Sequence, residues 1–392
     1  MATAPVDRIP WHVTILPVLG IVAWLAVGKV GLGFLALVLA AALLGNVIAA
    51  VHHAEVVARR VGEPYGTLVL ALAVTIIEVG LITSIMLSGE PNRTLLRDSV
   101  HAVVMLVLHG LAGLCIVVAA FREREAEFQV EGAKAFLAVL VPMATLVMVV
   151  PNHLVSAPGP YYSPLQLAFV SAVCLGLYVA FLFIQTGWHR SYFLSVGDED
   201  TVNQARPSAR IALASLGLLM VALLSVVLLA KSLAPALEAG VRAAGAPLAI
   251  VGVIIAAIVL LPETVAAIRA AARRQLQASI NLALGSAVAS IGLAVPVIAL
   301  VSFWIGQPLE LGISAGASVL MALGFIVAII TYGTGRTNLL SGIVHLALLA
   351  PTSSPSSRLE NAAERVIPKP AKPEPNRDFE RTPPSAVRAI FG

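Results

Sequence analysis

Charged residues and cysteines are both scarce in this chain of 392 residues. Asp, Glu, Lys and Arg make up 12% of the positions, roughly half of their share in average globular proteins. A water-covered soluble domain is therefore excluded for most of the chain. Cys115 and Cys174, the two cysteines, both lie in apolar runs, which argues against a disulfide framework or a cysteine metal site.

Long apolar runs dominate the sequence instead. Apolar residues make up 59% of the chain, and the mean hydropathy is +0.93. About 20 apolar residues suffice to cross a bilayer as a helix. We therefore predict an all-α membrane protein with ten or eleven transmembrane helices, of which the eleventh, 339–350, is short for a full crossing. The ten longer segments are 13–30, 33–57, 66–87, 100–120, 135–150, 165–184, 211–229, 247–268, 278–303 and 311–332.

Lys and Arg are unevenly shared between the two sets of loops. The amino terminus and the loops after segments two, four, six, eight and ten hold thirteen of them, whereas the opposite set holds five. Cytoplasmic loops carry such an excess. The bias predicts a multi-pass protein of the inner membrane with a cytoplasmic amino terminus. It also accounts for the net charge of +4, so that the lipid bilayer, and not nucleic acid, is the expected partner.

A polar segment, 197–210, divides the helices into two groups. We predict an extra amino-terminal helix in 1–30, a first repeat of five helices in 31–196 and a second in 211–350. Because each group holds five helices, equivalent helices cross the membrane in opposite directions, as in the inverted repeats of transporters. Residues 351–392 contain eight prolines and seven Lys or Arg, a composition that predicts a disordered tail.

Two carboxylates stand near the middle of predicted helices three and eight. Glu78 lies in VLALAVTIIEVGLITSIML, and Glu263 lies in IVGVIIAAIVLLPETVAAI. An ionisable side chain at membrane depth is costly and belongs by default to an ion or proton pathway. Two facing carboxylates neutralise one divalent cation, supply oxygen ligands of the kind that calcium prefers, and can hold protons when the cation leaves. The pair therefore predicts a site where metal and protons compete.

Further oxygen ligands are predicted at neighbouring positions. Thr75 lies one helical turn before the first glutamate. Pro262 directly precedes the second and is expected to break its helix and free a carbonyl, with a simple kink as the alternative. Ser286 and Asn281, in NLALGSAVAS, are predicted to join the metal site, with interhelical hydrogen bonding as their alternative role.

Five more polar residues are predicted as a proton pathway or as lining of the site: His109, Asn46, His52, His53 and Glu55. His109 is also open to the interpretation of a satisfied core histidine. His52, His53 and Glu55 fall at the inner end of helix two, and their spacing differs from the HExxH of a zinc protease. His345 stands near a helix end, which predicts an interfacial position.

Four runs carry a resemblance to a known family: VARRVGEPYGTLVLALAVTIIEVGLI, FREREAEFQVEGAKAFLAVLVPMATLVMVVPN, TGWHRSYFL and LPETVAAIRAAARRQLQASINLALGSAVASIGLAVP. Together they resemble the ChaA-type bacterial calcium/proton antiporters of the calcium/cation antiporter superfamily. In related vacuolar-type exchangers the repeat motif is GNxxE, and the resemblance implies that Glu78 and Glu263 are its glutamates. Val74 and Thr75 replace the Gly-Asn of the first motif, and Leu260 with a shifted Pro262 departs from the second.

The resemblance and the carboxylate pair together predict a secondary-active antiporter that exchanges cytoplasmic calcium for external protons. No cofactor and no enzymatic activity are expected. Since the asparagine ligands of the motif are absent, exchange of sodium or potassium for protons stays open as an alternative. An intramembrane hydrolase that uses the carboxylate pair, or His52, His53 and Glu55 with a metal, and a channel are the competing classes.

Overall fold

The computed structural model describes residues 9–27, 32–61, 65–86, 93–155, 159–193, 207–245 and 249–353. This set leaves out most of the predicted acidic linker 197–210. It also leaves out the predicted tail 351–392 except for its first three residues. Residues 1–8 and 28–31, which include parts of the predicted amino-terminal segment 1–30, are left out as well. Within the described residues, the chain folds into helices and one two-stranded sheet.

In the described part of the chain, eleven helices longer than four residues follow one another when segments that continue without a break are counted together. Each overlaps one of the eleven predicted apolar segments. They are α1 (Trp11–Val27), α2 (Leu32–Val61), α3 (Tyr65–Met86), α4 (Leu95–Glu123), α5 (Val130–Met148), α6 (Pro164–Trp188), α7 (Ala209–Ala243), α8 (Ala249–Ala272), α9 (Leu276–Ile305), α10 (Ala315–Tyr332) and α11 (Leu339–Ser353).

Seven of these helices are long and apolar enough to cross a membrane by length and composition: α2, α4, α5, α6, α7, α9 and α10. The glutamate-bearing helices α3 and α8 have 22 and 24 residues, and a crossing needs about 20. Together with the helical content, this confirms the prediction of an all-α membrane protein. The α11 helix is short, as expected from its sequence, and has 15 residues.

Side chains at the helix ends explain several of the observed boundaries. The Ser163 hydroxyl accepts a hydrogen bond from the Gln166 backbone, and the Gln166 side chain accepts one from the Ser163 backbone, which is a capping box at the start of α6. Ser208 and Ser314 cap α7 and α10 through their hydroxyl groups, which accept a hydrogen bond from the backbone as the Ser163 hydroxyl does. The α9 helix ends at Gly306, whose φ of 69° is left-handed.

A small sheet joins the end of α4 to the start of α11. Strand β1 (Glu125–Glu127) pairs antiparallel with β2 (Arg336–Asn338), with Ala126 opposite Thr337. At the other end of α4, Arg97 donates to the Glu310 carboxylate at 2.6 Å and to the Gly312 carbonyl at 3.0 Å. Both ends of α4 are therefore tied to segments of the second predicted repeat.

Helices of the two predicted repeats pack in a mirrored way. The α2 helix packs along α7, its predicted equivalent. The α4 helix packs against α8 and α11, and its predicted equivalent α9 packs against α3 and α6. An inverted repeat predicts this pattern, because each contact in one half then has a partner in the other. The boundaries 31–196 and 211–350 stay predictions.

Candidate functional site

Glu78 and Glu263 are both buried. Glu78, on α3, is 3% exposed, and Glu263, on α8, is 8% exposed. The α8 helix runs without interruption from Ala249 to Ala272. The expected break at Pro262 is therefore wrong, since transmembrane helices accommodate proline when neighbouring groups satisfy the freed backbone.

Two serines of α9 hold the two glutamates. The Ser290 hydroxyl lies 2.6 and 2.8 Å from the two carboxylate oxygens of Glu78. The Ser286 hydroxyl donates to Oε2 of Glu263 at 2.6 Å. Carboxylates from α3 and α8, which belong to different halves of the chain, thus meet on one helix.

The serine spacing limits the distance between the two carboxyl groups. Ser286 and Ser290 are four residues apart, so their Cβ atoms lie about 5–6 Å from each other. With one hydrogen bond of 2.6 Å at each end, the carboxyl groups are separated by at most roughly 17 Å. A separation of tens of ångströms, which would rule out a shared site, is thereby excluded.

A π-helical turn over Ser290–Ala294 interrupts the regular α-helix of α9 where the Glu78 contact is made. Pro296 lies just after this turn and has no backbone N–H, so one carbonyl of the preceding turn loses its usual donor. Such π turns are rare in proteins overall, and those that occur are often found at functional sites. Gly292, inside the turn, leaves room for Tyr178, because a Cβ there would lie 2.6 Å from the tyrosine Cβ.

Two of the remaining predicted metal ligands occupy different surroundings. Thr75 is buried, one turn before Glu78, and its role as a ligand stays a prediction. Asn281 makes hydrogen bonds between segments, which was its alternative role: Nδ2 donates to the Phe193 carbonyl at 2.5 Å, and Oδ1 accepts from Gln277 at 2.9 Å. These contacts join α9 to the segment after α6, and a metal-ligand role for Asn281 stays a prediction.

Asn46 is buried in a contact among α1, α2 and α7. Its Nδ2 donates to the Ala42 carbonyl of its own helix at 2.8 Å. A Cβ at Gly20 would lie 2.0 Å from the Ser225 hydroxyl and 2.4 Å from Asn46 Nδ2, so these three residues meet closely. The structure thus places Asn46 in helix packing, with its Oδ1 unpartnered within the described residues.

The predicted group on α2 separates into two environments. His53 is fully buried, and its Nε2 lies 3.1 Å from the Val13 carbonyl of α1. The His52 ring lies edge-on to it, at 5.6 Å between centroids. The Glu55 side chain is 40% exposed and pairs with Arg59 at 3.3 Å. A pathway or entrance role for the three remains a prediction.

His109 lies within a second π-helical turn, Leu106–Leu111, near the middle of α4. Its Nδ1 is hydrogen-bonded to Nδ1 of His345 at 3.0 Å, and both histidines are fully buried. The interfacial position expected for His345 is therefore wrong. A helix that starts at Leu339 and packs on α4 brings its seventh residue into the interior.

The site offers oxygen ligands alone. Carboxylate and hydroxyl oxygens suit hard cations, whereas sulfur and imidazole ligands favour transition metals. Among the described residues, no group of three or more His, Cys, Asp and Glu is placed to hold a metal ion. Ser290 had escaped sequence reasoning. Its signal was the spacing of four from Ser286, which places two hydroxyls on one helix face.

Comparisons with known proteins agree with this architecture. The family model described as sodium/calcium exchanger protein matches residues 25–187 and 214–350. The sodium-potassium/proton antiporter ChaA of Escherichia coli is 35% identical over 312 residues, which cover 79% of this chain and 84% of that protein. The protein y4hA of Sinorhizobium fredii is 46% identical over 315 residues, 80% of this chain and 86% of its own length.

Two solved structures share the fold. The H+/Ca2+ exchanger CAX has a TM-score of 0.70 at 15% identity, over 91% of this chain and 90% of that one. Native YfkE has a TM-score of 0.66 at 19% identity, over 87% of this chain and 98% of that one. Members of the matched family are ion exchangers and not enzymes, which confirms the expectation of a transporter. The chain belongs to the sodium/calcium exchanger protein family, as a multi-pass membrane antiporter of cations.

Proposed function

We propose that the chain exchanges a cytoplasmic cation for external protons at Glu78 and Glu263, with calcium as the expected cation. One observation carries the proposal: two buried carboxylates from different halves of the chain are held by adjacent turns of α9. The inner membrane and a cytoplasmic amino terminus are part of the proposal, from the loop charges.

Because the two carboxylates are buried, they bind either a cation or protons, and not both at once. An ionised carboxylate at membrane depth costs at least about 2.5–3.5 kcal/mol, so it needs a compensating charge. A divalent cation that balances the charges of both carboxylates leaves the site neutral, and so does one proton on each carboxylate. Since the same oxygens serve both, cation and protons displace one another, which is the requirement for exchange.

The direction of exchange follows from the proton gradient. When the site opens to the outside, the higher proton activity there protonates both carboxyl groups and releases the cation. When it opens to the cytoplasm, the protons leave and another cation binds. The mirrored packing of the two halves supplies a pair of related conformations for this alternation.

Exchange of sodium or potassium for protons is the second candidate. It is supported by the similarity to a protein named a sodium-potassium/proton antiporter, which is 35% identical. Serine hydroxyls at Ser286 and Ser290 add neutral oxygens to the carboxylates and do not by themselves require a divalent ion. The vesicle experiment below therefore tests all three cations.

The test is dissipation of a pH gradient in everted vesicles on addition of calcium, sodium or potassium. We expect Glu78→Gln and Glu263→Gln each to lower the cation-dependent signal at least about 100-fold, because an amide keeps the shape and loses the charge. Glu131→Gln is the matched control, since Glu131 is exposed in the first turn of α5. Full activity of either site variant would refute the mechanism.

A further inference from the structure

A second buried polar group lies between α4, α10 and α11, outside the carboxylate pair. We propose that His109, His345 and Thr331 form a proton route that serves the Glu263 side of the site and is separate from the path of the cation. This inference rests on the proposed proton exchange. The carboxylates bind the cation, and the three side chains carry only the proton.

The three side chains form an unbroken chain of hydrogen bonds. Thr331 Oγ1 lies 3.1 Å from Nε2 of His345, and Nδ1 of His345 lies 3.0 Å from Nδ1 of His109. His109 and His345 are fully buried, and Thr331 is 7% exposed. Imidazole and hydroxyl groups each accept a proton on one side and release one on the other, so such a chain can conduct protons.

One end of the chain opens on a cavity. The cavity has a volume of about 230 Å³, which is large enough for several water molecules. Thr331 is part of its wall and, at the same time, binds His345. The other lining residues are mostly polar and come from the small sheet and the adjoining helices: Glu125, Ile330, Thr334, Arg336, Thr337, Asn338 and Ser341.

The other end of the chain points into the protein. Nε2 of His109 is buried and has no hydrogen-bond partner among the described residues. It lies against Gly324 of α10, where a Cβ would come within 2.2 Å of it. The π turn that carries His109 also packs against α8 and α9, the helices that hold Glu263 and Ser286. An unpaired nitrogen at this point can donate or accept a proton.

The proton count balances for movement in either direction. For movement from the cavity toward the site, a water in the cavity gives a proton to Thr331, whose own hydroxyl proton passes to Nε2 of His345. The Nδ1 proton of His345 passes to Nδ1 of His109, and the Nε2 proton of His109 goes to the carboxylate of Glu263, which accepts it as the cation leaves. The reverse order carries a proton out to the cavity.

Other titratable groups around the chain are few. Tyr332 has its ring 6.2 Å from that of His345, and its buried hydroxyl has no partner among the described residues. Glu125 and Arg336 of the cavity wall are the charged groups at the entrance.

The test compares two transport modes of the full-length protein in everted vesicles. Proton-coupled exchange is driven by a pH gradient, and cation self-exchange is followed with a radioactive isotope at equal pH on both sides. The isotope is ⁴⁵Ca²⁺, ²²Na⁺ or ⁸⁶Rb⁺, according to the cation that the unaltered protein exchanges for protons. Self-exchange needs the carboxylates but no net proton movement, so it separates the two paths.

We expect Thr331→Val to slow proton-coupled exchange at least about tenfold and to leave self-exchange within twofold. Thr331→Ser, which keeps the hydroxyl, should restore coupling. Thr334→Val is the matched control, because Thr334 lines the same cavity and its hydroxyl binds the Arg336 carbonyl. An equal loss of both modes, or no loss of either, overturns the proton route. Absence of proton coupling in the unaltered protein would instead refute the proposed function.

Discussion

The hydroxyl groups of Ser286 and Ser290 distinguish this site from a pair of buried acids without hydrogen-bond donors. A buried carboxylate without hydrogen-bond donors is strongly disfavoured in its charged form, and each donor stabilises that form. Glu78 and Glu263 were predictable because acidic residues are rare inside membrane helices. Ser290 was not, because serine is common in such helices and often bonds to its own backbone. The contact of Ser290 with Glu78 depends on the packing of α3 beside α9.

Removal of the serine hydroxyls should weaken cation binding. A hydrogen bond to a charged group contributes about 1.5–3 kcal/mol, so Ser290→Ala should raise the half-saturating cation concentration by at least about tenfold. Ser286→Ala should have a similar or smaller effect, since Ser286 contacts one oxygen of Glu263 whereas Ser290 lies close to both oxygens of Glu78. Cation titrations in everted vesicles measure this, with Ser318→Ala as control, because the Ser318 hydroxyl is exposed. An unchanged half-saturation in both variants would contradict the assigned contacts.

Two of the three π turns in the described residues show what an element adds to its residues. The turn near the middle of α4 carries His109, and the turn in α9 carries Ser290, whereas the third, Ile184–Trp188, ends α6. Apolar run length predicted both helices, because about 20 apolar residues define a crossing. The π turns have no such pattern and depend on local events, such as the missing N–H of Pro296. For the same reason Pro262 was misjudged, since neighbouring helices and not the proline alone decide whether α8 breaks.

The short α11 helix depends on close contact with α4. A Cβ at Gly342 would lie 2.7 Å from Val117 Cγ2 and 3.0 Å from the Gly113 carbonyl, so Gly342→Val should push α11 away. We expect a loss of about 1–3 kcal/mol of stability, seen as a lower midpoint temperature of the purified protein in detergent. Gly316→Ala is the control, because nothing lies within 4 Å of a Cβ there. Equal midpoints for the two variants would argue against this packing.

At the scale of the whole molecule, the relation between the halves could be anticipated only in part. Helix number and the position of the polar segment predicted two groups of five, because both are counts along the chain. The contacts that join the halves, such as Arg97 with Glu310, could not be predicted, since they link residues more than 200 positions apart. The contact of Asn281 with Phe193, 88 positions away, is a further long-range pair of this kind. Long-range pairing of this kind depends on how the halves fold onto each other.

Membrane orientation is the prediction that concerns the entire chain. If the amino terminus is cytoplasmic, α4 begins outside and ends inside, so Arg93 and Arg122 lie on opposite sides. Both side chains are exposed, and Cys115 and Cys174 are buried, so single cysteines introduced at these positions provide specific reporters. In intact cells with a permeabilised outer membrane, a membrane-impermeant maleimide should label Arg93→Cys and spare Arg122→Cys. Everted vesicles should show the reverse, because eversion exposes the cytoplasmic face. The opposite pattern would place the amino terminus outside and refute the orientation drawn from the loop charges.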